Sequence, residues 1–194
     1  MRDVNGELKQ ATPKEYQYIS DRYYENVNGK FVEQSEKAGI LNNTFSHSAV
    51  VADFNQDQLP DLYICNDYIG PDQLLINQGN HTFIDQWTNY FSHTSFSSMG
   101  SDYADVNNDG DFDLFTLDMS PKNNFRRKMM SMAQNYDKFE VMTKYGFGAQ
   151  FPMNSMQINR GNGKFSDLSY VDLLAQTEWS WSVLLADFDN DGNK

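Results

Sequence analysis

Cysteine is almost absent: Cys65 stands alone in 194 residues, which excludes an intrachain disulfide framework and a thiolate zinc site. In the run Leu62-Tyr63-Ile64-Cys65 it reads as a small buried hydrophobe rather than a nucleophile. Positive charge is also scarce, with 15 Lys plus Arg against 27 Asp plus Glu and a net charge of −12. Nucleic-acid binders need a basic footprint against phosphate, so no nucleic-acid partner is expected. No apolar run approaches the ~18 residues that a membrane helix requires. No charged-then-apolar leader follows Met1, so any export signal is expected to have been removed or to lie outside this sequence. His47, His81 and His93 lack metal spacing, and there is no G-x-S-x-G elbow, phosphate loop or dinucleotide fingerprint.

What is present is a chain with 39% hydrophobic and 14% aromatic residues, enough for a β-rich core and too apolar for disorder. The acid is concentrated. Asp53, Asp57, Asp61, Asp105, Asp109, Asp111, Asp113, Asp187, Asp189 and Asp191 form three short clusters, and without those ten the net charge would be −2.

The clusters belong to an internal repeat. One phrase occurs as Val50-Val51-Ala52-Asp53-Phe54-Asn55-Gln56-Asp57, as Tyr103-Ala104-Asp105-Val106-Asn107-Asn108-Asp109-Gly110, and as Leu185-Ala186-Asp187-Phe188-Asp189-Asn190-Asp191-Gly192. The first two continue alike, as Pro60-Asp61-Leu62-Tyr63 and Phe112-Asp113-Leu114-Phe115. A second phrase alternates with it: Tyr24 to Phe31, Ile76 to Phe83 and Ile158 to Phe165, each with Asn and Gly between short β-type runs, a hairpin signal. Asp53 to Asp105 is 52 positions and Asp105 to Asp187 is 82, which places a 30-residue insertion in the second unit. At about residues 120–152 the pattern changes. Phe125 to Ala133 and Tyr136 to Met142 have helical spacing, closed by Gly146 and Gly148. The expectation is a helical pair packing its Met and aromatic side chains, with Lys122, Arg126, Arg127 and Lys128 left outward. The alternative is a lid or partner surface.

Within each acidic loop, oxygen-bearing side chains fall at relative positions 1, 3, 5 and 9: Asp53, Asn55, Asp57, Asp61, then Asp105, Asn107, Asp109, Asp113. The third retains Asp187, Asp189 and Asp191 before the sequence ends. Calcium, a hard cation, takes ~6–8 oxygens, and alternate residues of a tight loop can turn carboxylates inward around it. Four like charges in nine residues otherwise repel. Position 6 is Gly110 and Gly192, where the turn demands positive φ. Gln58 holds that place in the first loop, which is expected to be strained or weaker. An EF-hand is excluded: its bidentate Glu at position 12 is replaced by Ile64 and Thr116, and the flanks read as strands. Turn preference alone accounts for one Asp/Asn cluster but poorly for three in register.

The motif Ala-Asp-Phe-Asn/Asp-x-Asp-Gly-x-x-Asp-Leu, alternating with Asn-x-Gly-Asn-Gly-x-Phe, resembles the FG-GAP or VCBS-type repeats of β-propellers, also seen in integrin α-subunits. Asn66-Asp67-Tyr68-Ile69, Phe96 to Asp102, Arg126-Arg127-Lys128 and Trp179-Ser180-Trp181-Ser182 are similar to secreted or surface VCBS-repeat proteins of Bacteroidetes that carry a cartilage-acidic-protein-like or ASPIC/UnbV-type terminal region. The resemblance covers residues 21–194 and leaves 1–20 unassigned. It implies an all-β fold, a partial β-propeller of four-stranded antiparallel blades with calcium loops and one helical insertion. Asp21 to Gln34 would close one blade, Ser46 to Trp87 and Ser97 to Leu168 would be full blades, and Trp179 to Phe188 would begin a fourth. A closed ring takes ~4–8 blades, so the chain would be a fragment of roughly three blade-equivalents, with the remaining blades as partners. It further implies backbone carbonyl ligands at position 7, from Leu59, Asp111 and Asn193, with the Asp111 carboxylate turned away. Two calcium loops would be complete and the third truncated.

Extracellular calcium modules bind at about 10⁻⁴–10⁻³ M, so such sites fill outside the cytosol. The implied placement is extracellular, periplasmic or outer-membrane surface. The expected function is a non-catalytic calcium-binding module for a glycan or protein ligand. Tyr68, Trp87, Tyr90 and Trp179 are aromatic candidates for sugar stacking, with core packing the blander fate of each. The alternative is a propeller polysaccharide lyase or hydrolase whose acids converge from elements outside this sequence.

Overall fold

The computed structural model describes residues 20–40, 42, 44–68, 70–130, 136–171 and 173–194. The unassigned N-terminal stretch 1–19, Ile69 and the end of the first predicted insertion helix, 131–133, lie outside them.

Strands β1 (Tyr24–Val27) and β2 (Lys30–Glu33) form a hairpin over Asn28-Gly29, both at positive φ as a tight turn of this hand requires. Helix α1 (Ser35–Ala38) follows. A first four-stranded antiparallel sheet then runs β3 (Phe45–Ala52), β4 (Asp61–Asp67), β5 (Gln73–Asn77), β6 (Phe83–Asp85), in that order. Helix α2 (Trp87–Tyr90) and β7 (Thr94–Ser95) lead to the second sheet, made of β8 (Gly100–Ala104) and β9 (Asp113–Leu117). The insertion comes next: β10 (Met119–Ser120), α3 (Asn124–Met130), α4 (Tyr136–Lys144) and β11 (Gln150–Phe151), the last pairing parallel with β7. Strands β12 (Ser155–Asn159) and β13 (Phe165–Asp167) complete the second sheet in the order β8-β9-β12-β13. Finally β14 (Glu178–Trp179) pairs with β10.

The strands alternate, so each sheet has two faces to cover. Val50, Ala52, Tyr63, Cys65, Leu74 and Ile76 project from one face of the first sheet into a core shared with Leu114 and Phe165 of the second, filled by Phe54, Trp87 and Phe91. Phe91 is the pivot, edge-on to Tyr63 at 5.7 Å and 4.8 Å from the Phe165 centroid. The opposite face of the first sheet, Ile64 and Leu75, is closed by Ala38 and Ile40. That of the second, Phe115, Leu117, Met156 and Ile158, is closed by Leu168, Leu174, Val183 and Leu185. Cys65 is fully buried, as its setting in the sequence suggests, and burial pushes its thiol far up.

The all-β partial propeller is therefore a correction. Four helices occur among the described residues, two of them outside the insertion, and the sheets are open rather than joined into a ring. The outer faces are covered by α1 and by the loop segment after β13, where a ring would place another sheet. Trp179 to Phe188 does not start a new sheet: only its first residue lies in a strand, and that strand pairs back to β10. The insertion does contain two helices, α3 starting where the Asn123 side chain accepts the Arg126 N–H at 3.0 Å. Their apolar residues pack less than expected, with Phe125, Met129 and Tyr136 exposed. Among the described residues of the two helices only Met142 is buried, and Phe139 stacks on Phe151 at 5.9 Å. Of the aromatic candidates Trp87 is buried, whereas Tyr68 and Trp179 are exposed.

Candidate metal centre

The first two acidic loops sit where the chain leaves one strand and re-enters the sheet, between β3 and β4 and between β8 and β9; the third follows irregular chain after β14. The three are built alike. In the first, the Asp57 N–H donates to Asp53 Oδ1 and Asn55 Oδ1, both at 3.1 Å, Gln58 N–H to Asp53 Oδ2 at 2.7 Å, and Leu59 N–H to Asp57 Oδ1 at 2.8 Å. In the second, Asp109 N–H reaches Asp105 and Asn107 at 3.1 and 3.0 Å, and Gly110 and Asp111 N–H reach Asp105 and Asp109 at 2.9 Å each. The third repeats the set, from Asp191 to Asp187 and Asp189 at 3.1 and 3.3 Å and from Gly192 and Asn193 to Asp187 and Asp191 at 2.8 Å each.

The backbone conformations coincide as well. Position 6 has φ of +93° at Gly110 and Gly192 and +69° at Gln58, so the first loop holds a side chain in the left-handed region. Position 4 is also left-handed in all three, at Gln56, Asn108 and Asn190. The side chain at that position reaches the next loop. Gln56 donates to Asp111, and Asn108 donates to Asn193 Oδ1 at 2.7 Å. The three loops thus form a connected row at one end of the molecule. The Asp111 carboxylate serves this row.

Asp61 and Asp113, at position 9, are fully buried. Asp61 accepts the N–H groups of Phe54 and Asn77 at 2.9 and 2.8 Å, and Asp113 those of Val106 and Asn159 at 3.0 and 2.8 Å. Each braces its loop to the following hairpin. Burial raises both carboxyls; the backbone N–H groups oppose the rise, and the neighbouring loop aspartates add to it. Asp187 and Asp191 are held below the usual range by backbone donors, Gly192 first for one and Asn193 for the other.

A divalent cation fits the donor set of the third loop. Asp187, Asp189 and Asp191 bring carboxylate oxygens within 4.8 Å of one another. Oxygens bound to one calcium at ~2.4 Å lie no further than about 4.8 Å apart. The first two loops offer an amide oxygen, Asn55 or Asn107, where the third has Asp189. That exchange leaves two acidic loop-tip side chains instead of three, and among the described residues neither Asp61 with Asp53 and Asp57 nor Asp113 with Asp105 and Asp109 brings three carboxylates together as the third loop does.

Two features escaped the sequence. His93 and Asp167 are 74 residues apart and meet at 2.8 Å through His93 Nε2 and Asp167 Oδ2. Asp72 and Asp118 are buried carboxyls, pushed up to about 7 and about 6 by burial against bonds from Asn66, Ser98 and Tyr63 in one case and from Ser97 and Phe96 in the other. Neither lies in a motif, so no spacing announces them. The sequence profile of the FG-GAP-like repeat matches residues 53–116 and 146–194, more than half of the chain, and leaves out residues 117–145, which hold both insertion helices. No curated protein matches the chain.

Proposed function

The chain belongs to the FG-GAP-like repeat family, and from that premise we propose that it is a calcium-binding, non-catalytic module for binding or scaffolding outside the cytosol, with a glycan or protein ligand. Residues 21–194 act as one module, with 120–152 as its insertion. The observation that carries this is the threefold recurrence of one oxygen-only loop, with its third copy holding three carboxylates within 4.8 Å. The ligands are Asp53, Asn55, Asp57, Asp61 and the Leu59 carbonyl in the first loop. Asp105, Asn107, Asp109, Asp113 and the Asp111 carbonyl serve the second, and Asp187, Asp189, Asp191 and the Asn193 carbonyl the third. Bound calcium supplies positive charge that offsets the repulsion among these acids. Sites of this class fill where calcium is abundant, which supports extracellular or surface placement. The finer likeness to surface VCBS-repeat proteins of Bacteroidetes belongs to the same proposal.

A thermal melt in EDTA, in ~10 mM calcium and in ~10 mM magnesium tests it. At a dissociation constant of ~10⁻⁴ M, calcium adds about 2.7 kcal/mol per site. The expected result is a calcium-specific rise of many degrees; coincident melts in all three conditions would overturn the metal assignment.

A further inference from the structure

We propose that the open cleft lined by α3, β11 and the turn after β13 binds a small arylalkyl carboxylate, an acid group carried on a short chain from an aromatic ring. The cavity has a volume of about 580 Å³, within the range of small-molecule sites. It shares no residue with the acidic loops. Its walls are Phe151, Pro152, Met153, Tyr170 and Val171, with the uncharged Gln176 amide beside them and the His93 ring edge-on to Phe151 at 5.1 Å. Such a lining suits a flat apolar body that stacks on aromatic faces. A sugar of the same size would leave most of its hydroxyls without partners against this wall.

The polar groups are sorted by what already holds them. Asp167 accepts from Ser155 Oγ at 2.8 Å and from the Ser169 N–H at 2.7 Å, and it contacts His93 Nε2 at 2.8 Å. Burial pushes its carboxyl up, but the bonds from His93, Ser169 and Ser155 more than offset that and hold it low. Gln157 Nε2 donates to Ser155 Oγ at 2.7 Å and fixes the hydroxyl from behind. His93 Nδ1 meets Ser92 Oγ at 3.0 Å, so both ring nitrogens are engaged and the imidazole offers the cavity its carbon edge and face. The charge left for a ligand is that of Arg127. Its neighbour Arg126 is ion-paired with Glu178 at 2.7 Å. Arg127, half-buried on the cavity rim, has only the Asn124 side-chain oxygen at 3.3 Å, and no carboxylate within 4.0 Å among the described residues. A guanidinium above an aromatic pocket presents two parallel donors to a carboxylate.

The test is calorimetry and ligand-observed NMR on the whole chain with 3-phenylpropionate, its amide, and glucuronate as probes. The expected result is saturable binding of 3-phenylpropionate, at least tenfold weaker binding of the amide and weaker still of glucuronate. Arg127→Gln should weaken the carboxylate at least tenfold, leave the amide unchanged and leave the melting temperature in place. Phe151→Ala should weaken acid and amide together. No saturable binding of the acid up to ~10 mM, or an Arg127→Gln protein that binds it undiminished, would overturn the proposal. Glucuronate binding as tightly as the aryl acid would overturn the aromatic assignment in favour of an acidic sugar.

Discussion

The two four-stranded sheets share strand order, acidic loop and hairpin, and differ at three places. Position 6 of the loop is Gln58 in one and Gly110 in the other. The acid and amide at the far end are exchanged: the Asn66 N–H donates to Asp72, whereas the Asp118 N–H donates to Asn154, both at 2.8 Å. The connection from second to third strand is a short turn in the first sheet and a helical insertion in the second. The geometry survives all three differences. It is set by the ladder and the bracing carboxylates, Asp61 and Asp113, while the residues that differ determine strain and titration.

The largest effect is expected from removing the braces. Asp61→Ala or Asp113→Ala leaves two backbone N–H groups without their acceptor, a loss of about 3 kcal/mol in each sheet by urea denaturation. A gap between the two above ~1 kcal/mol would break the equivalence.

Asp72→Asn makes the first sheet amide at both positions. A carboxyl whose folded value is raised to about 7 from ~3.9 unfolded binds more protons in the native state. Its stabilising contribution is complete below ~3.9 and is lost as pH rises to about 7. Asp118 acts likewise, with its upper limit at about 6. Melts across pH 4 to 8 should show wild-type stability falling, by on the order of a few kcal/mol, and the fall between pH 6 and 7 should vanish in Asp72→Asn.

Exchanging position 6 gives a smaller change. Gln58→Gly removes a side chain from positive φ and should add about 1 kcal/mol, and Gly110→Ala should subtract a similar amount. Open space around a Cβ at Gly110 makes that loss a backbone effect alone. Smallest is Gln56→Ala, which cuts the bridge from the first loop to the second. Stability should fall by only ~0.5 kcal/mol, but calcium titration should change from coupled to independent filling of the two loops.

The repeats, hairpins and left-handed position 6 were legible because each rests on local residues: Asn and Gly at turns, Asp at alternate positions. Helices α1 and α2 were not, being single turns too short for periodicity. The ring also failed as an expectation, because repeat identity specifies a sheet but not what covers its outer face. That decision belongs to Ile64 with Ala38 and to Leu117 with Leu174, contacts between distant segments. Position 4 was missed for another reason. Gln56, Asn108 and Asn190 read as ordinary polar loop residues, and only three-dimensional neighbours show the inter-loop bridge.

Cys65 lies in β4 of the first sheet and faces the core shared with the second, with no solvent exposure. A thiol so placed is a clock. A small electrophile can reach it only when the shared core comes apart, so alkylation keeps time with that opening and is silent to fraying elsewhere. The chain thus carries a single-copy chemical stopwatch, and following its mass shift over hours, with electrophile in enough excess to outpace reclosing, gives the lifetime of the closed core without an engineered probe.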